Sequence, residues 1–240
     1  MNYYLSPRAQ DEICEQLIKD FAGLYYSYQP VDIAGFARSI GLTLRYVSFC
    51  NEEDETRLGF YSDGETPVNV MTKEGPRSVT FPVFNILIAN ELKVDEKKHK
   101  RRFTLAHEVY HHLETVFNNG TPIAAYRTEF SMEKKCSVAE LKNLMDKREL
   151  QADRGAAALL MPRRLVRNTC RSVMEDQPIC VYGNDTFDRE TQNKLREIAD
   201  FMQVSMSALI IRLKHLNMLE KHDLRELTGG FALGGAASDH

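Results

Sequence analysis

The residues with the clearest chemical potential lie in Arg102-Phe-Thr-Leu-Ala-His107-Glu108-Val-Tyr-His111-His112-Leu113, which carries the pattern H-E-x-x-H inside a predicted helix. Residues four apart stand on one helical face a turn apart, so His107 and His111 can present imidazole nitrogens to a single ion. Glu108 stands about 100° around the axis. There its carboxylate sits beside the ion and can take a proton from a water that the metal activates. Ala106, Val109, Tyr110, Leu113 and Val116 form an apolar stripe that holds this helix against a core, flanked by the two histidines and Glu108.

Two histidines are too few, because a catalytic zinc wants three protein ligands and one open position. The segment Arg148-Glu149-Leu-Gln-Ala-Asp153-Arg-Gly155 offers the third. Glu149 and Asp153 are again four apart, and the small run Gly155–Ala158 allows a neighbouring helix to come close. An antiparallel pair of helices would set Glu149 against the histidines as a ligand. Asp153 would then reach the far nitrogen of a ligand imidazole and orient its ring. The other reading makes Glu149 a solvated carboxylate paired with Lys147 or Arg154, and lets Arg154 or an amide occupy Asp153. His112 is one residue off the ligand face and reads as structural or solvent-facing rather than as a ligand. Tyr110 and Tyr126 could stabilise an oxyanion, but nothing in the sequence places either hydroxyl.

These segments, with PVDIAGFARSIGL before them and ADFMQVSMSALIIRLKHLNML after them, resemble the ImmA/IrrE-type metallopeptidases over most of the chain. RFTLAHE followed some forty residues later by E-x-x-A-[ND]-x-x-A-A-x-LLMP is the specific part. The resemblance implies an α+β fold with a zincin-like helical core and a small antiparallel β-sheet against the two metal helices. It implies zinc on His107, His111 and Glu149, with Glu108 as base and Mn2+ as a possible ion in vivo. It further implies an endopeptidase whose protein substrate is an Xre-type helix-turn-helix repressor, so that cleavage derepresses phage, mobile-element or stress-response genes. Two positions depart from the family: it commonly has Gly where Tyr110 stands and Phe where Gly155 stands. From sequence, Tyr110 is expected to reshape the floor of the cleft.

The positioning elements follow from periodicity. Helices are expected from Pro7 to about Leu24 and from Pro30 to Gly41, then a strand in LTLRYVSF, a short strand near Leu58–Tyr61 and another in Val83–Ala89. The metal helix should run from about Asp95, as N-cap, to Leu113, with an irregular stretch from Thr121 to Cys136. Ser137-Val-Ala-Glu140 fits a capping box that would open a second helix from Val138 to about Met161. Pro162 restarts a short helix, and two closing helices, about Arg189–Met202 and Ser205–Leu216, form a helix-turn-helix-like segment. The expected division is a metallopeptidase domain over 1–180, a helical segment over 181–228 and a flexible tail over 229–240.

The 240 residues include 31 Lys and Arg against 34 Asp and Glu, a net charge of −3 that offers no whole-chain case for nucleic acid or anionic membrane. The run Lys97–Arg102 reads as a solvated helix opening. The second closing helix shows only Arg212, Lys214 and His215 as candidate DNA contacts, so nucleic-acid binding is not expected. The rival reading keeps it open: a non-catalytic regulator that binds a repressor or DNA through these helices. Cys14, Cys50, Cys136, Cys170 and Cys180 form no C-x-x-C pair, and no secretory signal or spanning segment is evident. A soluble cytoplasmic protein with free thiols is expected.

Overall fold

The computed structural model describes residues 5–51, 55–117, 120–130 and 147–227. The fold is mixed α+β. Helix α1 (Pro7–Ala22) opens where the Ser6 hydroxyl accepts the Ala9 amide, and α2 (Ile33–Ser39) where the Asp32 carboxylate accepts that of Gly35. The strands β1 (Thr43–Val47), β2 (Glu55–Tyr61), β3 (Pro67–Thr72), β4 (Gly75–Thr80), β5 (Asn85–Ala89) and β6 (Ala125–Phe130) follow, with helix α3 (Lys98–Phe117) between the last two.

Four of these strands form one sheet in the order β1-β5-β2-β6. The expectation of a purely antiparallel sheet is corrected here. β2 pairs antiparallel with β5 and β6, but β1 runs parallel to β5, with Thr43 opposite Asn85 and Val47 opposite Ala89. Parallel neighbours need a long return connection. Residues 48–84 supply it, and they contain both β2 and the β3–β4 hairpin, which sequence periodicity did not reveal. All five residues of β5 are buried, as a strand inside the sheet should be. β6 occupies part of the stretch expected to be irregular. Asp95 opens a three-residue 3-10 turn rather than capping the long helix, so α3 starts at Lys98 and continues past Leu113.

Helix α3 lies on the sheet, packing on β2, β5 and β6, and its other side meets α4 (Lys147–Leu160), which also packs on α1. The capping box at Ser137–Glu140 and the tail at 229–240 lie outside the described residues. Pro162 precedes α5 (Arg163–Val173). Strand β7 (Ile179–Tyr182), helices α6 (Arg189–Met202) and α7 (Met206–His215), strand β8 (Leu219–His222) and the short α8 (Leu224–Leu227) complete the chain. β7 and β8 pair in parallel, so the expected division after residue 180 falls inside β7. One apolar cluster extends from Cys14 to Leu216. Leu209, Leu213 and Leu216 of the C-terminal segment are buried in it. Arg212 is buried too, donating from Nε to the Met161 carbonyl (3.0 Å) and from Nη1 to Asp11 (2.6 Å), while Lys214 pairs with Asp185 at 2.6 Å. No helix among the described residues is long and apolar enough to cross a membrane. Cys14, Cys50, Cys170 and Cys180 are free thiols.

Candidate metal centre

The site lies on the seam between α3 and α4. Each helix contributes residues four apart, and the seam is close because α4 is lined with Ala152, Ala156 and Ala158, all buried. Gly155 is required at the tightest point. A Cβ there would lie 2.0 Å from Cδ2 of the Tyr110 ring. Tyr110 is fully buried, so its ring fills the space that a side chain at 155 would claim. Tyr110 and Gly155 are thus one matched exchange of bulk across the seam. The expectation that Tyr110 reshapes the cleft floor is replaced by a packing role.

The structure brings His107, His111 and Glu149 together. Their ligand atoms lie within 4.8 Å of one another. His107 Nε2 stands 3.1 Å from His111 Nε2 and 3.0 Å from Glu149 Oε2, and His111 Nε2 stands 3.3 Å from Glu149 Oε1. Bonds of about 2.0–2.2 Å to a tetrahedral ion place ligand atoms roughly this far apart. Both rings are held from behind. Asp153 Oδ1 lies 2.9 Å from His107 Nδ1, and Glu114 Oε2 lies 3.3 Å from His111 Nδ1. A ring that donates its Nδ1 proton to a carboxylate points the Nε2 lone pair the other way. With both rings deprotonated at Nε2, two lone pairs 3.1 Å apart beside a carboxylate could hold one cation. The donor set therefore fits a zinc-type ion, with nitrogen and oxygen ligands and no thiolate.

The carboxylates around the group favour positive charge within it. Burial would favour the neutral His111 ring, yet Glu114 and Glu149 raise it to about 9. Burial would also raise the Glu149 carboxyl, but the bonds to both imidazoles outweigh it and hold Glu149 far below the ordinary carboxylate range. Asp153 is likewise lowered, by His107 and Arg127 against the opposing effect of burial.

Glu108 stands in a different setting. It is fully buried, and neither carboxylate oxygen has a hydrogen-bond partner among the described residues. Burial pushes its carboxyl up to about 7. Strand β2 passes directly over it. A Cβ on Gly59 would lie 2.5 Å from Glu108 Oε1, so only glycine leaves room for the carboxylate. The β2–β6 register shifts between Arg57 and Gly59, which marks a bulge at this point.

Sequence reasoning missed four residues here. Arg127 of β6 donates from Nη1 to Asp153 (2.5 Å) and lies 2.8 Å from His107 Nδ1. Glu114 backs His111, and Arg148 in turn reaches Glu114 at 3.3 Å. Gly59 makes the fourth. Glu114, one turn beyond His111, carried a usable spacing signal; Arg127, Arg148 and Gly59 carried none, because only packing between elements brings them to the groups they touch. His112 faces away from the cluster, with its Nδ1 3.1 Å from the Tyr61 hydroxyl, in line with the structural role expected of it. Tyr126 lies on β6. No protein-family profile matches this chain, and no curated protein matches it.

Proposed function

We propose that this chain is a zinc-dependent endopeptidase. The observation that carries the reading is a buried carboxylate, Glu108, without a hydrogen-bond partner among the described residues and set beside a three-donor cluster whose imidazoles are oriented from behind. A buried carboxylate left unpaired is costly to stability, so it is best explained by a proton-transfer task.

His107, His111 and Glu149 would hold the ion, which supplies Lewis acidity to a water and to the scissile carbonyl. Glu108 accepts the proton of the attacking water on a carboxylate oxygen and then donates it to the leaving amine. A carboxyl raised towards neutrality suits both halves of that transfer. Asp153 and Glu114 keep the ligand nitrogens in the right tautomer, and Arg127 holds Asp153 in place.

The substrate we assign, on the ImmA/IrrE resemblance, is an Xre-type repressor, cleaved in the cytosol to derepress the genes it silences. Mn2+ is an alternative ion with compatible ligands. The rival reading is a non-catalytic regulator that binds a repressor or DNA through the C-terminal helices; its DNA form is weakened by the commitment of Arg212 and Lys214 to Asp11 and Asp185.

The test is cleavage of a purified Xre-type repressor by the zinc-loaded chain. Glu108→Gln should keep stoichiometric zinc while cleavage falls by about 10²–10⁴-fold, the usual contribution of a general base. Undiminished cleavage by this variant would remove Glu108 from the chemistry. Stable association without chelator-sensitive fragments, in the unmodified protein, would favour the regulator.

A further inference from the structure

The three most exposed large apolar side chains among the described residues stand together where α1 ends. They are Leu24 (87%), Tyr28 (68%) and Tyr25 (67%), on and directly after the 3-10 turn Gly23–Ser27. The turn is anchored from within. Tyr26 and Ser27 are buried, the Tyr26 hydroxyl reaches Glu15 (3.5 Å), and the Ser27 carbonyl accepts from Asn168 Nδ2 of α5 (3.2 Å). With those two residues turned inward, the other three are held outward. Exposed apolar side chains gathered in one patch mark a place of contact.

The charges around this patch are divided by sign. On its α5 side Arg164, Arg167 and Arg171 are exposed, and with Glu15, Arg163 and Asn168 they line a concavity of about 360 Å³. Arg163 answers to Asp11 (3.5 Å) and to Glu12, Arg171 pairs with Asp176 (2.7 Å), and Glu15 accepts the Arg164 amide (3.0 Å). Arg164 and Arg167 make no ion pair among the described residues. The acid on the other flank is Asp20. It lies five residues after Glu15, about 140° round α1. Asp20 is exposed and accepts from Gln16 Nε2 (2.6 Å), with no ion pair among the described residues. Lys19 stands nearer to Glu15 round the helix and so belongs to the cationic flank. Carboxylate, apolar tip and guanidiniums therefore follow one another across the face.

We infer that this face binds a second copy of the chain across a two-fold axis. The apolar tips of the two copies pack together, and Asp20 of each is set against Arg164 and Arg167 of the other. A two-fold contact needs a surface complementary to itself. An apolar centre with a carboxylate on one flank and guanidiniums on the other meets that need, because the two-fold rotation brings each sign onto its opposite. Tyr and Arg are also the residue types that protein interfaces favour. Asp20 and Glu15 stand against a nucleic acid or an anionic lipid surface, which both would repel. A tip of three apolar residues is small, so the contact belongs with weak, concentration-dependent associations. The inference does not rest on the peptidase reading.

The experiment is analytical ultracentrifugation of the full chain between about 1 and about 200 μM. A monomer at the low end and a dimer at the high end are expected, with a midpoint in the micromolar range. Tyr25→Ala and Tyr28→Ala should each weaken dimerisation by about tenfold or more, since each truncation is felt twice across the axis. Asp20→Arg, and separately Arg164→Asp combined with Arg167→Asp, should each leave a monomer, because like charges then face each other. Mixed in equal amounts, these two variants should associate as the parent does, since every pair is again of opposite sign. Arg77→Gln, on the β3–β4 hairpin and paired with Glu74, should change nothing. Unaltered circular dichroism in each variant separates lost contact from lost fold. The inference is overturned if the parent stays monomeric at about 200 μM, if the tyrosine variants dimerise as the parent does, or if the mixture fails to associate. It is also overturned if Tyr25→Ala and Arg167→Asp abolish binding to oligo(dT) or to phosphatidylserine vesicles rather than dimerisation, which would make the face a polyanion or membrane contact.

Discussion

The α3–α4 seam and the α6–α7 pair are both helix pairs packed into the same apolar cluster, yet they bury different things. In the C-terminal pair the buried positions are Thr191, Leu195, Ile198, Ala199, Met202, Leu209 and Leu213, and its one buried cation, Arg212, is anchored by a carbonyl and a carboxylate. The seam buries His107, Glu108, His111 and Glu114 where apolar side chains would serve stability better. Three of these are bonded to one another or to Glu149, Asp153 and Arg148, and the fourth, Glu108, has no hydrogen-bond partner among the described residues. The contrast separates packing from chemistry: burying polar groups has a stability cost, and the seam concentrates such groups in one place.

That contrast can be broken at several points. The largest effect belongs to Glu149→Ala. Removing one of three donors should abolish zinc retention, read by elemental analysis after dialysis, while the fold persists; full occupancy would place the third ligand elsewhere. Next comes the exchange of bulk at Tyr110 and Gly155. Tyr110→Gly should cost about 3–5 kcal/mol by opening a cavity, and Gly155→Phe a comparable amount by overpacking. The double variant should recover about 2 kcal/mol or more relative to the sum, measured from urea midpoints. Additive losses would show that the two sites do not share one space. Asp153→Asn should lower zinc affinity by about 10–100-fold in a competition assay with a chromophoric chelator, the usual cost of losing a carboxylate behind a ligand histidine. An unchanged affinity would mean that Arg127, not His107, is the partner that matters to Asp153. The smallest effect is expected in the other region. Lys214→Gln removes an exposed ion pair and should alter stability by no more than about 1 kcal/mol, with zinc content intact.

The legible part of the molecule was the part written in short spacings. H-E-x-x-H and the Glu149/Asp153 pair are i to i+4 relations, and a helix converts that interval into a shared face whatever surrounds it. The helix bounds at Arg189–Met202 were readable for a similar reason, since the Asp188 cap and the apolar stripe act locally. The β3–β4 hairpin and the parallel β1–β5 pair were not. Val68 and Val70 alternate with exposed neighbours over only six residues, and no local pattern encodes which strand lies beside which.

Sequence alone determined which residue types stand one helical turn apart, and therefore the chemistry open to His107, Glu108, His111, Glu149 and Asp153. Tertiary structure alone decided that Gly59 clears space for Glu108, that Tyr110 fills the space left by Gly155, and that Arg127 arrives from a strand to hold Asp153. It also decided that Arg212 is spent inside the protein rather than offered to DNA. The reason is physical: spacing along a helix is set by backbone geometry within a few residues, whereas burial, clearance and charge pairing between elements depend on contacts that form only when distant segments pack.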